Sequence, residues 1–307
     1  MISIQQIQYI LSLNEEKQFQ RASEVCFVTQ PTLSMQIKKA EETLGNKLFD
    51  RSLNPLDLTP FGKEMLPIFQ DIISEFNKIE ISVKKKEGVY IEEVRMGIIP
   101  TISGYMIPDL YKVWKKELPN IRLIIEELKT PEIIQALEDR KIDIGILAGP
   151  EFNPKWRTIP LFQEEIKAFV PSLNEDSISI DSLIDMHPWL LTKGNCLRTQ
   201  MMHFCELNSL DKQDEWDYEG GNIEMLEKMV QLHGGYTLVP EYFISSKKEK
   251  SYKRITSSVN EIPAREIIAL VPKKSLKWEK IELLIRQIQL KYNSSNSKEK
   301  LTILSWK

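Results

Sequence analysis

The chain contains 307 residues, 42% of them hydrophobic, with 41 Lys and Arg residues against 44 Asp and Glu residues and a formal charge of −3. At about 150 residues per domain, this length favours two domains that each bury a core. Three cysteines exclude a disulfide framework, because exported small domains need several pairs. The first residues lack the basic start of a signal peptide, and no apolar run approaches a membrane span, so we predict a cytoplasmic protein without membrane contact.

The common signatures of nucleotide-binding proteins, serine hydrolases and zinc proteases are absent from the sequence. Cys196, His203 and Cys205 lie near one another and suggest a zinc site. A structural zinc ion needs four ligands, usually in closely spaced pairs, and no fourth candidate has that spacing. We therefore predict no metal and no cofactor.

The first sixty residues carry a helix-turn-helix pattern. Ser3 and Gln6 form a capping-box pattern ahead of a first helix. A short second helix fits Phe19 to Cys26, and Gln30-Pro31 opens a third helix that stops at Gly45. Two short helices joined by a tight turn are typical of DNA-binding domains. The strand-like return of Leu56 to Thr59 predicts a wing.

The polar face of the third helix supplies the candidate DNA contacts. A helix that enters the major groove uses its N-terminal residues on base edges and its lysines on phosphates. The alternative is a solvated helix face, and charge does not decide between them, because residues 1–60 hold six Lys and Arg against seven Asp and Glu. The candidates, with one arginine from the wing, are Gln30, Pro31, Thr32, Ser34, Met35, Lys38, Lys39 and Arg51.

A long helix should follow, from Thr59-Pro60 to about Lys86, although Pro67 should kink it or delay its start. Apolar residues repeat along it at alternating steps of three and four, as in a coiled coil. The alternative is a globular amphipathic helix, which shows a wider stripe. We call this set the dimer seam, because a second copy of the chain is its simplest partner: Met65, Phe69, Ile72, Phe76, Ile79 and Val83.

The remaining chain alternates strands with helices, which predicts a parallel α/β sheet. The expected strands are Val94–Ile102, Ile121–Leu128, Ile142–Ala148, Glu165–Val170, Pro188–Leu191, Tyr236–Val239 and Arg265–Val271, and the expected helices are Ser103–Glu117, Pro131–Asp139, Glu224–Leu232 and Trp278–Tyr292. Thr101 and Ser103 follow a strand end, where such folds bind ligands, although a hydroxyl there also caps helices.

Two cysteines, Cys196 and Cys205, are separated by eight residues. Cys196 follows a Gly-Asn turn near a predicted helix start, where backbone N–H groups lower a thiol pKa and make the thiol reactive. The alternative is a pair of inert, buried cysteines. Cys26 lies on the inner side of the helix-turn-helix and should be a core residue.

The segments Phe19–Ser23, Val28–Glu41, Leu44–Arg51 and Leu58–Gly62 together resemble the LysR-type winged-helix regulators in order, spacing and residue type. The resemblance implies an α/β protein with an N-terminal all-α winged helix-turn-helix, a long linker helix and a two-lobed effector domain resembling periplasmic binding proteins. The implied boundaries are a DNA-binding domain at 1–59, a dimerisation helix at 60–88, a regulatory domain at 89–293 and a flexible tail at 294–307. Its lobe I spans about 92–161 and 267–293, and its lobe II about 162–266. Promoter DNA, RNA polymerase and a second or fourth copy of the chain are the implied partners.

The segment Gly194–Cys205 resembles the OxyR hydrogen-peroxide sensors, in Gly-x-Cys-Leu-Arg, Gln-x-Met and Phe-Cys. The resemblance implies that Cys196 is the peroxidatic thiol, that Cys205 resolves it as a disulfide, and that Thr101 and Arg265 bind peroxide. Asn195 and Thr199 belong to the same pocket but stand where that family usually has histidine and aspartate.

The predicted function is therefore a peroxide-responsive transcription regulator that is not an enzyme. Two alternatives stay open at this point. One is a LysR-type regulator that binds a small organic effector between its lobes, and the other is a thiol peroxidase that carries a DNA-binding domain.

Overall fold

The computed structural model describes residues 1–86, 92–149, 155–204, 221–244, 246–256, 262–275, 277–293 and 301–303. The chain divides into two compact units, Met1–Tyr90 and Ile91–Lys307, which we call the first and second unit. No helix in these described ranges is long and apolar enough to cross a membrane.

Three helices open the first unit: α1 (Ile4–Glu16), α2 (Phe19–Val25) and α3 (Gln30–Leu44). The capping box of α1 is formed, since Ser3 Oγ accepts from the Gln6 backbone and Gln6 Oε1 accepts from the Ser3 backbone. Thr29 caps α3, and Gly45 ends it at a φ of +73°, a conformation that glycine adopts without strain. These helices form the predicted helix-turn-helix.

The wing consists of β1 (Phe49–Asp50) and β2 (Asp57–Leu58), which pair antiparallel. Helix α4 (Pro60–Lys86) follows at once, so Pro67 lies inside the helix and does not delay its start. The core of the first unit lies between α1, α3, the wing and the start of α4. It includes Ile10, Leu13, Leu33, Ile37, Leu48, Phe49 and Phe69.

The second unit begins with β3 (Glu92–Ile98), α5 (Pro100–Glu117), β4 (Ile121–Glu127), α6 (Thr130–Glu138) and β5 (Ile144–Ala148). It continues with β6 (Trp156–Phe169), β7 (Ser177–Ser179), α7 (Ile180–Ile184), α8 (Cys196–Phe204), α9 (Ile223–His233) and β8 (Thr237–Pro240). After two short 3-10 helices, Glu241–Phe243 and Ser246–Ser251, it ends with β9 (Tyr252–Thr256), β10 (Ile262–Pro272), α10 (Trp278–Tyr292) and β11 (Leu301–Ile303).

The sheet is mixed, whereas the alternating pattern predicted a parallel one. Its strand order is β4-β3-β5-β10-β6-β9-β7, with β11 beside β10 and β8 beside β6. Strand β3 is parallel to β4 and β5, but β10 is antiparallel to both β5 and β6. Strand β10 therefore lies between β5 and β6 and runs antiparallel to β3, β4 and β5.

Strands β6 and β10 run side by side through both halves of the second unit. One hydrophobic core surrounds β3, β5, α5 and α10, and a second core surrounds the end of β6 with α8, α9, β8 and β9. Strand β6 contributes to both cores, whereas the residues Ile267–Val271 of β10 belong to the first core. This two-lobed α/β architecture matches the predicted fold class.

Three element predictions need correction. The strand expected at Val94–Ile102 ends at Ile98, because Pro100 occupies the first turn of α5. The strand expected at Pro188–Leu191 is reduced to isolated bridges at Pro188 and Leu191, and the bridge from Pro188 to Tyr236 is parallel. In the tail expected to be loose, β11 pairs with β10 in parallel.

Candidate functional site

Cys196 is the first residue of α8 and is 4% exposed. Gly194 precedes it at a φ of +86°, which turns the chain into the helix, and its α-carbon faces the Lys129 side chain. The Asn195 carbonyl accepts from the Thr199 N–H at 3.3 Å, so the first helical hydrogen bond closes around the cysteine. The thiol therefore lies at a helix start, as predicted, but inside the protein.

The helix to which Cys196 belongs contributes to both hydrophobic cores. Cys196 itself packs into the core of β3, β5 and α5, whereas Leu197 and Met201 pack into the core of α9 and β8. The thiol thus lies where the two lobes meet, a common location for ligand sites in two-lobed proteins.

Burial raises the pKa of the Cys196 thiol, which is opposite to the direction that its helix position predicted. The Arg265 guanidinium opposes this rise, as do backbone hydrogen bonds from Leu197 and Ala148 and the Thr130 hydroxyl, but they do not outweigh it. The reason is that removal from water disfavours the thiolate more than these donors stabilise it.

Arg265 is fully buried on β10 and joins three elements. Its Nε donates to Glu164 Oε1 at 2.7 Å, its Nη1 donates to Thr101 Oγ1 at 2.9 Å, and its Nη2 donates to the Thr101 carbonyl at 3.1 Å. The structure therefore brings Thr101 and Arg265 into direct contact, with Arg265 near enough to Cys196 to affect its pKa.

Glu164 is the counter-ion of Arg265 and lies directly opposite it on β6. Both side chains are 0% exposed. Glu164 Oε1 also accepts from the Tyr105 hydroxyl at 3.0 Å, while Oε2 has no hydrogen-bond partner among the described residues. Burial raises the pKa of Glu164, and the Arg265 charge opposes that rise. The residue patterns did not identify Glu164, although a buried arginine demands such a carboxylate.

Two further buried polar residues are close to Cys196. Thr130 is close to the thiol in space, and Gln200 lies on the same helix. Thr130 opens α6 and its hydroxyl helps to lower the Cys196 pKa, yet its Oγ1 makes no hydrogen bond of ordinary geometry with a described residue. Gln200, one helical turn after Cys196, has neither amide atom hydrogen bonded within those residues. The hydrogen-bond partners of these buried groups are therefore not among the residues that the structure describes. Thr130 follows a strand end as Thr101 does, and this signal could have found it.

The other residues predicted for the peroxide pocket do not affect the pKa of Cys196 as Arg265 does. Asn195 is buried and Thr199 is partly buried, but neither is among the groups that lower the Cys196 pKa. Arg198 donates to the Leu191 carbonyl at 2.8 Å. Cys205 lies outside the described residues. Within those residues no group of three metal-ligating side chains is found.

On the first unit, the first ten residues of α3 include all but one of the candidate DNA contacts. Gln30, Pro31, Met35, Lys38 and Lys39 are exposed, and Thr32 and Ser34 are partly exposed. Arg51 is also exposed, but its guanidinium contacts two residues of the same unit. Its Nη2 donates to Glu41 Oε2 at 3.3 Å, and its guanidinium lies 5.3 Å from the centre of the Phe19 ring.

The dimer seam divides into two parts. Phe69, predicted to face a second copy, is buried in the core of the first unit, and Met65 packs against that core. Ile72, Phe76 and Ile79 are exposed. The side chain of Val83 lies outside the described set.

The chain matches two family models. Residues 4–63 match the bacterial regulatory helix-turn-helix protein of the lysR family, and residues 88–291 match the LysR substrate binding domain. A hydrogen peroxide-inducible genes activator from Pectobacterium carotovorum subsp. carotovorum is 27% identical over 253 residues, which cover 81% of this chain and 83% of the relative. The HTH-type transcriptional regulator EstR from Acinetobacter baylyi is 26% identical over 277 residues, covering 89% and 91%.

A solved full-length OxyR variant from Pseudomonas aeruginosa superposes with a TM-score of 0.74 at 26% identity, over 94% of this chain and 98% of that chain. The similarity extends through both units. It therefore supports the complete order of helix-turn-helix, long helix and two-lobed domain.

Proposed function

Because the chain belongs to the LysR family of bacterial regulatory helix-turn-helix proteins, we propose that it is a cytoplasmic, peroxide-responsive transcription regulator. Promoter DNA and RNA polymerase are its proposed macromolecular partners, and the assembly is a dimer or tetramer built on the dimer seam. The observation that carries the peroxide response is the cluster of Cys196 with Arg265, Thr101 and Thr130.

The chemistry begins when the Cys196 thiolate attacks one oxygen of hydrogen peroxide. The O–O bond breaks, the sulfur becomes sulfenic acid, and the departing hydroxide takes a proton and leaves as water. Arg265 stabilises the negative charge first on sulfur and then on the departing oxygen. Thr101 Oγ1 accepts a hydrogen bond from Arg265. The hydroxyl hydrogen of Thr101 is therefore directed away from Arg265, where it can donate to another acceptor.

The second step uses Cys205. Its thiol attacks the sulfenic sulfur, water leaves, and a disulfide forms. Helix α8 separates Cys196 from Phe204 by about 12 Å along its axis, so at least part of the helix must unwind before the two sulfurs can bond. Closing the loop between the two cysteines stabilises the rearranged state by about 2–3 kcal/mol, which is enough to switch a two-state protein.

The test is peptide mass mapping of reduced protein after one equivalent of peroxide. We expect one disulfide between Cys196 and Cys205, with Cys26 unmodified. Cys196→Ser should abolish the DNA-binding response, and Cys205→Ser should accumulate oxidised Cys196. Cys26→Ser is the matched control and should respond normally. Both thiols unmodified while DNA occupancy still changes would exclude the mechanism.

One observation keeps the effector-binding alternative in view. The buried polar atoms of Thr130 and Gln200 lack partners among the described residues. A small organic effector that shifts the thermal midpoint of the Cys196→Ser variant, without oxidation, would favour this function. We propose no enzymatic activity, so peroxide consumption should stop at one turnover per cysteine pair.

A further inference from the structure

Met35 is a large apolar side chain in the middle of the polar face of α3. It is 60% exposed, whereas Leu33 and Ile37, two residues before and after it, are fully buried. With about 3.6 residues per turn, a position midway between two buried residues points away from the core. The folding of the first unit therefore does not explain the apolar character of Met35.

Three of the four neighbours of Met35 on this face are polar or charged. Pro31 and Thr32 lie one turn before it, and Lys38 and Lys39 lie one turn after it, and residues three or four apart share a helix face. Thr29 and Thr32 hydroxyls are hydrogen bonded at 2.8 Å at the start of the helix. Met35 thus lies between the N-terminal residues of α3, which are suited to contact base edges, and the two lysines, which are suited to contact phosphates.

The positive charge available for phosphate binding is limited in the first unit. Lys17 pairs with Asp57 at 2.9 Å, Lys63 pairs with the same carboxylate at 3.5 Å, and Arg51 pairs with Glu41 at 3.3 Å. Non-specific DNA affinity depends on lysines and arginines that neutralise phosphates. A phosphate has to compete with a carboxylate for each of these three cations, which favours a contribution to the affinity from contacts with base edges.

We propose that Met35 contacts the 5-methyl group of a thymine in the major groove. Base edges in that groove present hydrogen-bond donors and acceptors, and the thymine methyl is their apolar feature. The exposed thioether side chain of Met35 can pack against this methyl group. It is a poor partner for the polar donors and acceptors of the base edges. The inference rests on the proposed role as a DNA-binding regulator and adds a sequence preference to it.

The experiment uses the full-length reduced protein and a duplex selected by it from a random-sequence pool. Each thymine is replaced in turn by deoxyuridine, which removes the methyl group and keeps every donor and acceptor. Burying one methyl group corresponds to about a fourfold change in affinity. We expect the wild-type chain to lose about that factor at a thymine in each half-site and nothing at flanking thymines.

Two substitutions assign that loss to Met35. Met35→Gln keeps the length of the side chain and should bind the thymine and uracil duplexes equally, whereas Met35→Leu should retain the preference. Gln30→Ala is the control for weakened binding, and it should lower affinity on both duplexes while keeping the ratio. The contact is overturned if Met35→Gln still loses about fourfold in affinity when thymine is replaced by deoxyuridine. It is also overturned if the wild-type chain binds the two duplexes with equal affinity.

The outcomes also separate this inference from the proposed function. A chain that selects a site but ignores its methyl groups remains a regulator without the Met35 contact. A chain that selects no site from the pool fails as a specific DNA-binding protein, and the contact fails with it. If a second copy of the chain covered Met35, the chain would still select a site but would not respond to the loss of thymine methyl groups.

Discussion

Glu164→Gln should destabilise the second unit strongly, because it leaves the charge of Arg265 buried without a counter-ion. Glu164 and Arg265 are both 0% exposed, and the Arg265 Nε is 2.7 Å from the carboxylate. Removing one partner of a buried ion pair costs about 3–5 kcal/mol. At about 2–4 °C per kcal/mol for a domain of this size, the unfolding midpoint should fall by about 6–20 °C.

The neighbouring residue provides a matched control. Glu165 lies on the same strand and pairs with Arg254 at 3.1 Å, but the Arg254 side chain is 41% exposed. Water can solvate that guanidinium once its partner is lost, so Glu165→Gln should cost less than Glu164→Gln. The two substitutions make the same chemical change one position apart.

Tryptophan fluorescence during thermal unfolding of the full-length protein is a suitable assay. All six tryptophans follow residue 91, so the signal reports on the second unit alone. Equal midpoint losses for the Glu164 and Glu165 variants, or a loss below about 1 kcal/mol for Glu164→Gln, would refute the importance of the buried pair. Slower oxidation of Cys196 in Glu164→Gln should accompany the expected result, since Arg265 loses its fixed orientation.

Three further perturbations have defined outcomes. The hydrogen bond from Lys17 lowers the pKa of Asp57 from 3.8 to about 2, so its contribution to stability is full above pH 3.8 and is lost as pH falls towards 2; Asp57→Asn should flatten this acid limb in circular dichroism. Replacing both Ile72 and Phe76, exposed on α4, by aspartate should shift light scattering from the oligomer to the monomer and abolish DNA binding. Arg265→Ala should raise the pKa of Cys196 further and slow its peroxide reaction at neutral pH, whereas a stopped-flow rate within about twofold of wild type would contradict the role of Arg265.

Local sequence signals predicted the helices of the first unit well, because caps and stops act within one turn of the chain. Ser3 with Gln6, Pro31 and Gly45 each mark a helix boundary that the structure has. Helix α10 also has the predicted bounds, since its apolar period is regular.

Strand β6 shows why other elements could not be predicted. Only Glu165–Val170 was expected, whereas the strand begins at Trp156 and contains Pro160, a residue type that is rare inside paired strands. In the structure the register of β6 and β10 shifts between Ile267 and Ile268, opposite Phe162 and Pro160. This irregularity accommodates the proline, and it depends on a strand more than a hundred residues away.

The site shows the same division. A family resemblance supplied Thr101 and Arg265, which lie 164 residues apart, and no residue pattern could have paired them. Glu164 is one of 44 acidic residues, and only the fold shows that it is the one opposite Arg265. Spacing predicts that a cysteine starts a helix, but it does not predict that the same cysteine is buried.

That burial decides which oxidants Cys196 can meet. A thiol that is 4% exposed, with a pKa raised by burial, is protected from bulky reagents that require an accessible thiolate. Hydrogen peroxide is small and uncharged, and in the proposed mechanism the Arg265 guanidinium stabilises charge on both the sulfur and the departing oxygen. Cys26, partly exposed in the first unit, has no such protection. In native protein, a bulky maleimide should therefore modify Cys26 before Cys196, whereas a substoichiometric peroxide dose should oxidise Cys196 first. The same order for both reagents in peptide mass mapping would show that accessibility alone controls these thiols.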